Sequence, residues 1–328
     1  MIAIIGGSGF IGTRLCRRFE KSKKRFQIID KAMSVEFPDQ TIIADVRNKK
    51  NIGKALENVS VIINLAAEHR DDVRPVSLYD EVNVDGAKIV CEAATRNNIN
   101  KIIFTSSVAV YGLSSEEADE NGKLNPFNDY GRTKMLAEDI YKKWQAELPD
   151  KRSLVIIRPT VVFGERNRGN LYVLFKFISS GFFVMIGNGR NKKSMAYVEN
   201  VAAFIEYVLK YKSGVFIHNY IDKPDYDMNT LVNEVRSLMG YKKSIRFRVP
   251  YMVGYVVGSI LDMVSATFKI NLPLSGIRLK KFCSTTQFKS NISKTKFVAP
   301  VILRDGLQAT IRHEFLEDHR NELLFYTE

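Results

Sequence analysis

A glycine turn wedged between a short apolar strand and a helix most limits what this chain can fold into. MIAIIG reads as a buried strand, GGSGFIG as a tight turn, and Phe10 to about Lys21 as a helix. Gly6, Gly9 and Gly12 fall at G-x-x-G-x-x-G spacing across that junction. Glycines so placed let the backbone approach a pyrophosphate while the helix N-terminus faces its charge. Alone, they would mean only a tight βα turn. Asp30 adds to them, because it ends the next apolar run, FQIID, 18 residues after Gly12. A carboxylate there accepts hydrogen bonds from the adenosine ribose and repels a 2′-phosphate, so the cofactor reads as NAD rather than NADP. Lys31 is the cation that could soften that repulsion. Asp45 has two compatible readings, N-cap of a helix beginning near Val46 and adenine contact.

Further apolar runs follow: TIIA (41–44), VSVIINLAA (59–67), KIIFTSS (101–107) and SLVIIRP (153–159). Helical patterns fill most gaps, notably 47–56 and 76–98. Strands apolar on both faces, alternating with helices, predict an α/β fold with a Rossmann-type, doubly wound parallel sheet. A length of 328 residues leaves room for a second unit. The expected division is an NAD-binding domain over 1–165, with 195–222 returning to it. A smaller, mainly helical substrate lobe takes 166–194 and 223–328.

The hydrophobic and charged fractions, 45% and 26%, are those of a folded soluble protein. Cys16, Cys91 and Cys283 are odd in number and lack metal spacing, which fits a reducing compartment without disulfides or structural zinc. His313 and His319 are not at i, i+4 spacing, so no metal site is expected. No basic segment precedes the first apolar run, so it does not read as a signal peptide. The charge is uneven. Residues 241–296 hold eleven Lys and Arg against Asp262 alone, which is ten of the chain's net thirteen positive charges. Such asymmetry points to an anionic partner: nucleic acid, phosphate or a membrane surface.

In NDYGRTK (128–134), Tyr130 and Lys134 stand at i and i+4 and so share a helix face. Tyr130 follows Ser107 by 23 residues, and Ser107 closes the run KIIFTSS near the carboxyl edge of the sheet. A phenol ordinarily ionises near pH 10, and lowering that to about 7 needs roughly 4 kcal/mol. A neighbouring ammonium and a cationic nicotinamide can supply much of it. The phenolate can then take a proton from a substrate hydroxyl, with Ser107 donating to the same oxygen. A second such pair, Tyr172 and Lys176, lies in an apolar run without a companion serine and reads as packing.

GGSGFIG, Asp30, Asp45, NLAA (64–67), TSSVAVYG (105–112), YGRTK (130–134) and RPTVVFG (158–164), in that order, resemble the extended short-chain dehydrogenase/reductase family of nucleotide-sugar epimerases and dehydratases. The resemblance spans about half the chain. It implies a catalytic trio of Ser107, Tyr130 and Lys134, with Lys134 also holding the nicotinamide ribose. It further implies cofactor contacts at Gly6, Gly9, Phe10, Ile11, Gly12, Asp30, Asp45, Val46, Leu65, Ala66, Ala67 and Pro159. Asn64 stands where many relatives carry histidine. In the family's sugar 4,6-dehydratases an Asp-Glu pair follows the serine position; here Val108 and Ala109 take those places, and neither can move a proton. Epimerisation needs only the trio and tightly held NAD.

EHRDDV (68–73), GERNRGN (164–170), KSMAYVEN (193–200), NYIDKPD (219–225) and FCSTTQF (282–288) are similar to one branch of the family. These are the bacterial 4-epimerases acting on N-acetylglucosamine joined through diphosphate to undecaprenol, and with them the resemblance covers nearly the whole chain. It implies a polyprenyl-diphosphate-linked sugar as substrate and a role in O-antigen or related surface-glycan assembly. It also implies a homodimer formed through helices near 76–98 and 130–147.

The residues themselves are compatible with such a substrate. YMVGYVVGSILDMVSATF (251–268) carries one charge and has basic flanks. It suits either shallow burial at an anionic bilayer or an ordinary core helix. Arg166 and Arg168 offer forks for a diphosphate, or a solvated loop. Lys193, Tyr197, His69 and Arg70 are further candidates for sugar contact. The expected location is cytoplasmic, peripheral to the inner face of the membrane. Two other readings stand beside this one. One is a soluble UDP-hexose or UDP-N-acetylhexosamine 4-epimerase with the same trio. The other is a non-catalytic NAD-binding regulator with a nucleic-acid-binding lobe; no nucleic-acid motif is evident, so no such partner is expected.

Overall fold

Successive apolar residues in each early strand point to opposite faces of one sheet, which explains the unbroken hydrophobic runs. The computed structural model describes residues 1–70, 73–112, 117–181, 183–241, 245, 247–254, 256, 283–319 and 322–327. Its strands are β1 (Ile2–Ile5), β2 (Phe26–Asp30), β3 (Thr41–Ile43), β4 (Val61–Asn64), β5 (Lys101–Thr105), β6 (Ser153–Pro159), β7 (Val161–Phe163), β8 (Val184–Ile186), β9 (Lys192–Tyr197), β10 (Gly214–Tyr220), β11 (Asp222–Asp227) and β12 (Phe247–Val249). Seven of them form a sheet in the order β10–β6–β5–β4–β1–β2–β3. Every neighbouring pair in it is parallel.

Ala3, Ile5, Ile62, Ile102, Phe104, Leu154 and Ile156 face one layer of helices: α2 (Lys49–Ala55), α4 (Gly86–Arg96) and α5 (Asp129–Ala146). Ile4, Ile63, Ile103, Val155 and Ile157 face the other layer, α1 (Phe10–Lys21) and α7 (Val198–Tyr207). Burial on both faces is what a parallel sheet requires. A separate core joins Phe163, Phe175, Met195, Leu231, Val235, Leu307 and Ile311. It draws on α6 (Asn170–Ser179), α8 (Met228–Leu238) and the last helix, Leu303–Phe315.

Several boundaries differ from the sequence reading, each for a local reason. β4 ends at Asn64, whose side-chain oxygen accepts from Ala66 N at 3.0 Å and turns the chain out of the sheet. β5 ends at Thr105, so Ser107 lies beyond it and opens a 3₁₀ turn over Val108–Tyr111. The segment 76–98 includes a π-helical turn, Asp80–Asp85, between the short helix α3 (Ser77–Tyr79) and α4. Asp45 is not a helix N-cap. α2 starts later, at Lys49, and Asn48 caps it by accepting from Asn51 N at 3.0 Å. Among the described residues no helix is long and apolar enough to cross a membrane. Most of 251–268 lies outside the described residues, as do Lys242, Lys243, Arg246, Asp262, Lys269, Arg278, Lys280 and Lys281.

Candidate active site

The glycine turn is sterically committed to a close backbone approach. Gly6 has φ +77°, and a Cβ there would sit 2.6 Å from Ala66 N. A Cβ on Gly12 would lie 2.5 Å from the carbonyl oxygen of Gly7, so α1 packs directly on the turn. Asp30, at the end of β2, accepts from Ser8 N at 3.0 Å and from Ala32 N at 3.2 Å. Its carboxylate is therefore fixed at the rim of the glycine loop. Leu65, Ala66 and Ala67 follow β4 beside Gly6, Phe10 and Ile11 open α1, and Pro159 ends β6. Asp45 is held by the Arg47 guanidinium at 2.8 Å, which keeps its carboxyl below the ordinary range. Val46 is buried against Gly86.

Tyr130 and Lys134 occupy the first turns of α5. The helix starts there because Asn128 caps it, accepting from Gly131 N at 2.9 Å. Gly131 carries the contact that brings two parts of the site together. A Cβ on it would lie 2.5 Å from the carbonyl oxygen of Ala109, so α5 rests directly on the Ser107 turn. Ser107 Oγ accepts from Ala109 N at 3.1 Å. Its hydroxyl hydrogen is then left to donate elsewhere. Ser106 lies next to it, buried, with no partner for its hydroxyl among the described residues.

Lys134 is almost fully buried. Its Nζ donates to the Thr105 carbonyl at 2.6 Å and lies 4.5 Å from the centre of the Phe104 ring. Burial pulls its pKa from 10.5 down to about 7, against the pull of the Glu138 carboxylate one turn later. Glu138 is itself buried and clamped by Arg158 through two bonds of 2.8 and 2.6 Å. Arg158 continues to the Tyr111 hydroxyl at 2.6 Å, and Tyr111 donates to Asn219 at 2.8 Å.

Asn83, within the π-helical turn, escaped the sequence reading. Its amide donates to Glu68 O and to Thr133 Oγ1, both at 2.9 Å, and its oxygen accepts from Glu68 N at 2.9 Å. It thus ties the loop after β4 to the residue before Lys134. His69 sits on that loop, 3.3 Å from Ala67 O. Burial lowers its pKa, and the nearby Lys134 charge adds to the effect. The Arg70 carbonyl accepts from the Tyr79 hydroxyl, and the Arg70 side chain is exposed.

The other substrate candidates each have a partner. Arg166, a non-glycine at φ +71°, pairs with Glu36 and Glu322, both at 3.0 Å. Arg168 pairs with Glu314 at 2.5 Å and covers the Tyr172 ring at 4.0 Å. Tyr172 also stacks on Phe315, and Lys176 is exposed. Tyr197 donates to Glu165 at 2.8 Å. Lys193 donates to Ser284 O at 2.6 Å, and burial lowers its pKa to about 8. Chain reversal after the last helix also brings His319 and Glu322 to His313. Helical spacing cannot register such a contact.

The model of the NAD dependent epimerase/dehydratase family matches residues 2–218. This chain belongs to that family. Over 331 aligned residues it is 45% identical to the N-acetyl-alpha-D-glucosaminyl-diphospho-ditrans,octacis-undecaprenol 4-epimerase of Escherichia coli O157:H7, covering 100% of this chain and 99% of that protein. It is 29% identical to the UDP-glucose 4-epimerase of Vibrio cholerae, over 83% of this chain and 87% of that one. The structure of UDP-N-acetylglucosamine 4-epimerase from Bacillus cereus superposes with TM-score 0.74 at 16% identity, covering 94% of this chain and 97% of that one. UDP-glucuronic acid 4-epimerase from Bacillus cereus in complex with NAD gives TM-score 0.71 at 18% identity, covering 95% and 97%. At those identities the likeness to solved structures is one of fold. NAD is the cofactor of this epimerase/dehydratase family member. The side-chain-free approach at Gly6 and the fixed Asp30 carboxylate fit its pyrophosphate and its adenosine ribose.

Proposed function

We propose that this chain is an NAD-dependent 4-epimerase that interconverts N-acetylglucosamine and N-acetylgalactosamine on polyprenyl diphosphate. The observation that carries the reaction is the seating of Gly131 on the Ser107 turn, which sets the helix bearing Tyr130 and Lys134 against that serine. Full-length identity to an epimerase of lipid-diphosphate sugar supports the substrate.

NAD, which Gly6, Gly12 and Asp30 would hold, would supply a hydride acceptor for C4 of the sugar and a hydride donor for its opposite face. Tyr130 takes the proton from the C4 hydroxyl and gives it back on the return step. Lys134, in its ammonium form, favours the phenolate and holds the nicotinamide ribose. Ser107 donates to the reacting oxygen. Val108 and Ala109 follow Ser107 and leave no acid to expel a neighbouring hydroxyl, so the sugar keeps its C6 oxygen.

NAD lies on 1–165 with 195–222, and the sugar lies against 166–194 and 223–328. His69, Arg70, Arg166, Arg168, Lys193 and Tyr197 line the substrate side. A diphosphate reaching Arg166 or Arg168 competes with Glu36, Glu322 and Glu314 for their guanidinium groups. The protein works at the inner face of the cell membrane through the basic region 241–296. Phe247 and Met252, exposed by 67% and 68%, support a membrane-facing surface there. The active form is a homodimer, and nucleic acid is not a partner.

Incubating pure protein with polyprenyl-diphosphate-N-acetylglucosamine and, separately, with UDP-N-acetylglucosamine tests substrate and reaction together. The expected result is N-acetylgalactosamine on the lipid, formed far faster than on the nucleotide. Faster turnover of the UDP-sugar would reverse the substrate assignment. DNA binding with no sugar turnover would favour the regulator.

A further inference from the structure

The strands that lead to Ser107 and Pro159 begin, at the opposite edge of the sheet, in a basic hollow of about 360 Å³. Lys101 opens β5, Ser153 opens β6, and the two are register partners. Two places on, Ile103 and Val155 pack in the core on the α7 side of the sheet. Side chains alternate along a strand, so Lys101 and Ser153 point to that side as well. There the chain leaving α7 brings up Lys210, Tyr211 and Lys212, and Lys151 joins the rim.

Four lysines thus line one hollow, and among the described residues no carboxylate does. Lys101 Nζ donates to the carbonyls of Leu209 and Tyr211 at 2.7 and 2.6 Å, which uses two of its three N–H bonds. Lys210 Nζ lies 3.5 Å from the centre of the Tyr207 ring. Lys151 and Lys212 are exposed. The group that marks this place as more than a basic surface is Ser153. It is only 3% exposed, and its Oγ has no partner among the described residues. A buried hydroxyl left unbonded is costly. Set among lysines, it is suited to donate to an anionic oxygen.

We propose that this hollow binds the diphosphate group of a small soluble molecule, with the four lysines meeting its charge and Ser153 Oγ donating to one of its oxygens. A single phosphate brings at most about two negative charges, so four cations suit a diphosphate better. Lysines act on phosphate as point charges and need no planar partner geometry. The site is separate from the one that takes NAD and sugar. β5 runs from Lys101 to Thr105, so roughly 13 Å of strand lies between this hollow and the carbonyl that holds Lys134. A bound anion would join the starts of β5 and β6 to the segment after α7.

The test titrates full-length, NAD-saturated protein with inorganic diphosphate by calorimetry. We expect saturable binding and a higher melting temperature. The double variant Lys151→Gln/Lys212→Gln should bind about tenfold more weakly or worse. Ser153→Ala removes no bond within the chain, so it should fold as wild type, yet lose about fivefold or more in diphosphate affinity. Both variants should keep wild-type epimerase turnover. Phosphatidylglycerol vesicles offer the same phosphate chemistry from a membrane, and their binding should not respond to Ser153→Ala. No uptake of diphosphate, uptake that ignores Ser153→Ala, or binding to vesicles alone would each overturn the site.

Discussion

Lys134 Nζ donates a 2.6 Å hydrogen bond to the carbonyl oxygen of Thr105, which pins α5 to the end of β5. The bond fixes the amine and does not neutralise it. No carboxylate among the described residues pairs with it directly, and burial holds the group near the point where it loses its charge, at about 7.

That placement should be visible as a stability cost. Between about pH 7 and 10.5 the unfolded chain keeps this proton and the folded NAD-free chain does not. Stability therefore rises with pH across that window, and the cost is complete below about 7. It amounts to roughly 5 kcal/mol at 1.36 kcal/mol per pKa unit. Lys134→Met removes it but orphans the Thr105 carbonyl, at about 1–3 kcal/mol. Urea unfolding of NAD-free protein should find the variant about 2 kcal/mol or more above wild type at about pH 6. The gain should disappear or reverse by about pH 10. A difference independent of pH would refute a depressed lysine.

The Glu138–Arg158 pair should behave as a single buried unit. Glu138→Gln or Arg158→Met alone leaves an uncompensated charge and should cost about 3–5 kcal/mol in denaturant unfolding. The double variant should cost clearly less than the two together. Strict additivity would mean that the pair is not coupled.

Gly6→Ala should lose the cofactor before it loses the fold. The added Cβ meets the Ala66 backbone at a left-handed φ, so the glycine loop must shift. NAD affinity, read by calorimetry, should fall at least about tenfold, or 1.4 kcal/mol, while circular dichroism stays near wild type. Unchanged affinity would show that this turn does not face the pyrophosphate.

What could be read in the sequence was local. The βα glycine turn, Asp30 at a strand end, the helix running from Phe10 to Lys21, and Tyr130 one turn before Lys134 all express backbone periodicity over a few residues. Features set by contacts across the chain were not legible. Glu138 and Arg158 are residue types that normally face solvent, and nothing nearby marks them as a buried pair. Asn83 bridges two distant segments from a π-helical turn, whose altered register has no simple sequence pattern. Asn48 displaced Asp45 as the cap because the chain first makes a turn at Asp45, where Asn48 N donates to Asp45 O at 2.9 Å. His313 and His319 meet only because the chain folds back.

The most direct test of the central claim is turnover by Tyr130→Phe, measured together with its NAD content. Removing one hydroxyl leaves Gly6, Asp30 and Lys134 in place, so the account predicts wild-type NAD occupancy with epimerisation reduced by about 10²-fold to 10⁴-fold. Full NAD occupancy with activity within a few-fold of wild type would contradict it, because the proton at O4 would then be moving through some other group.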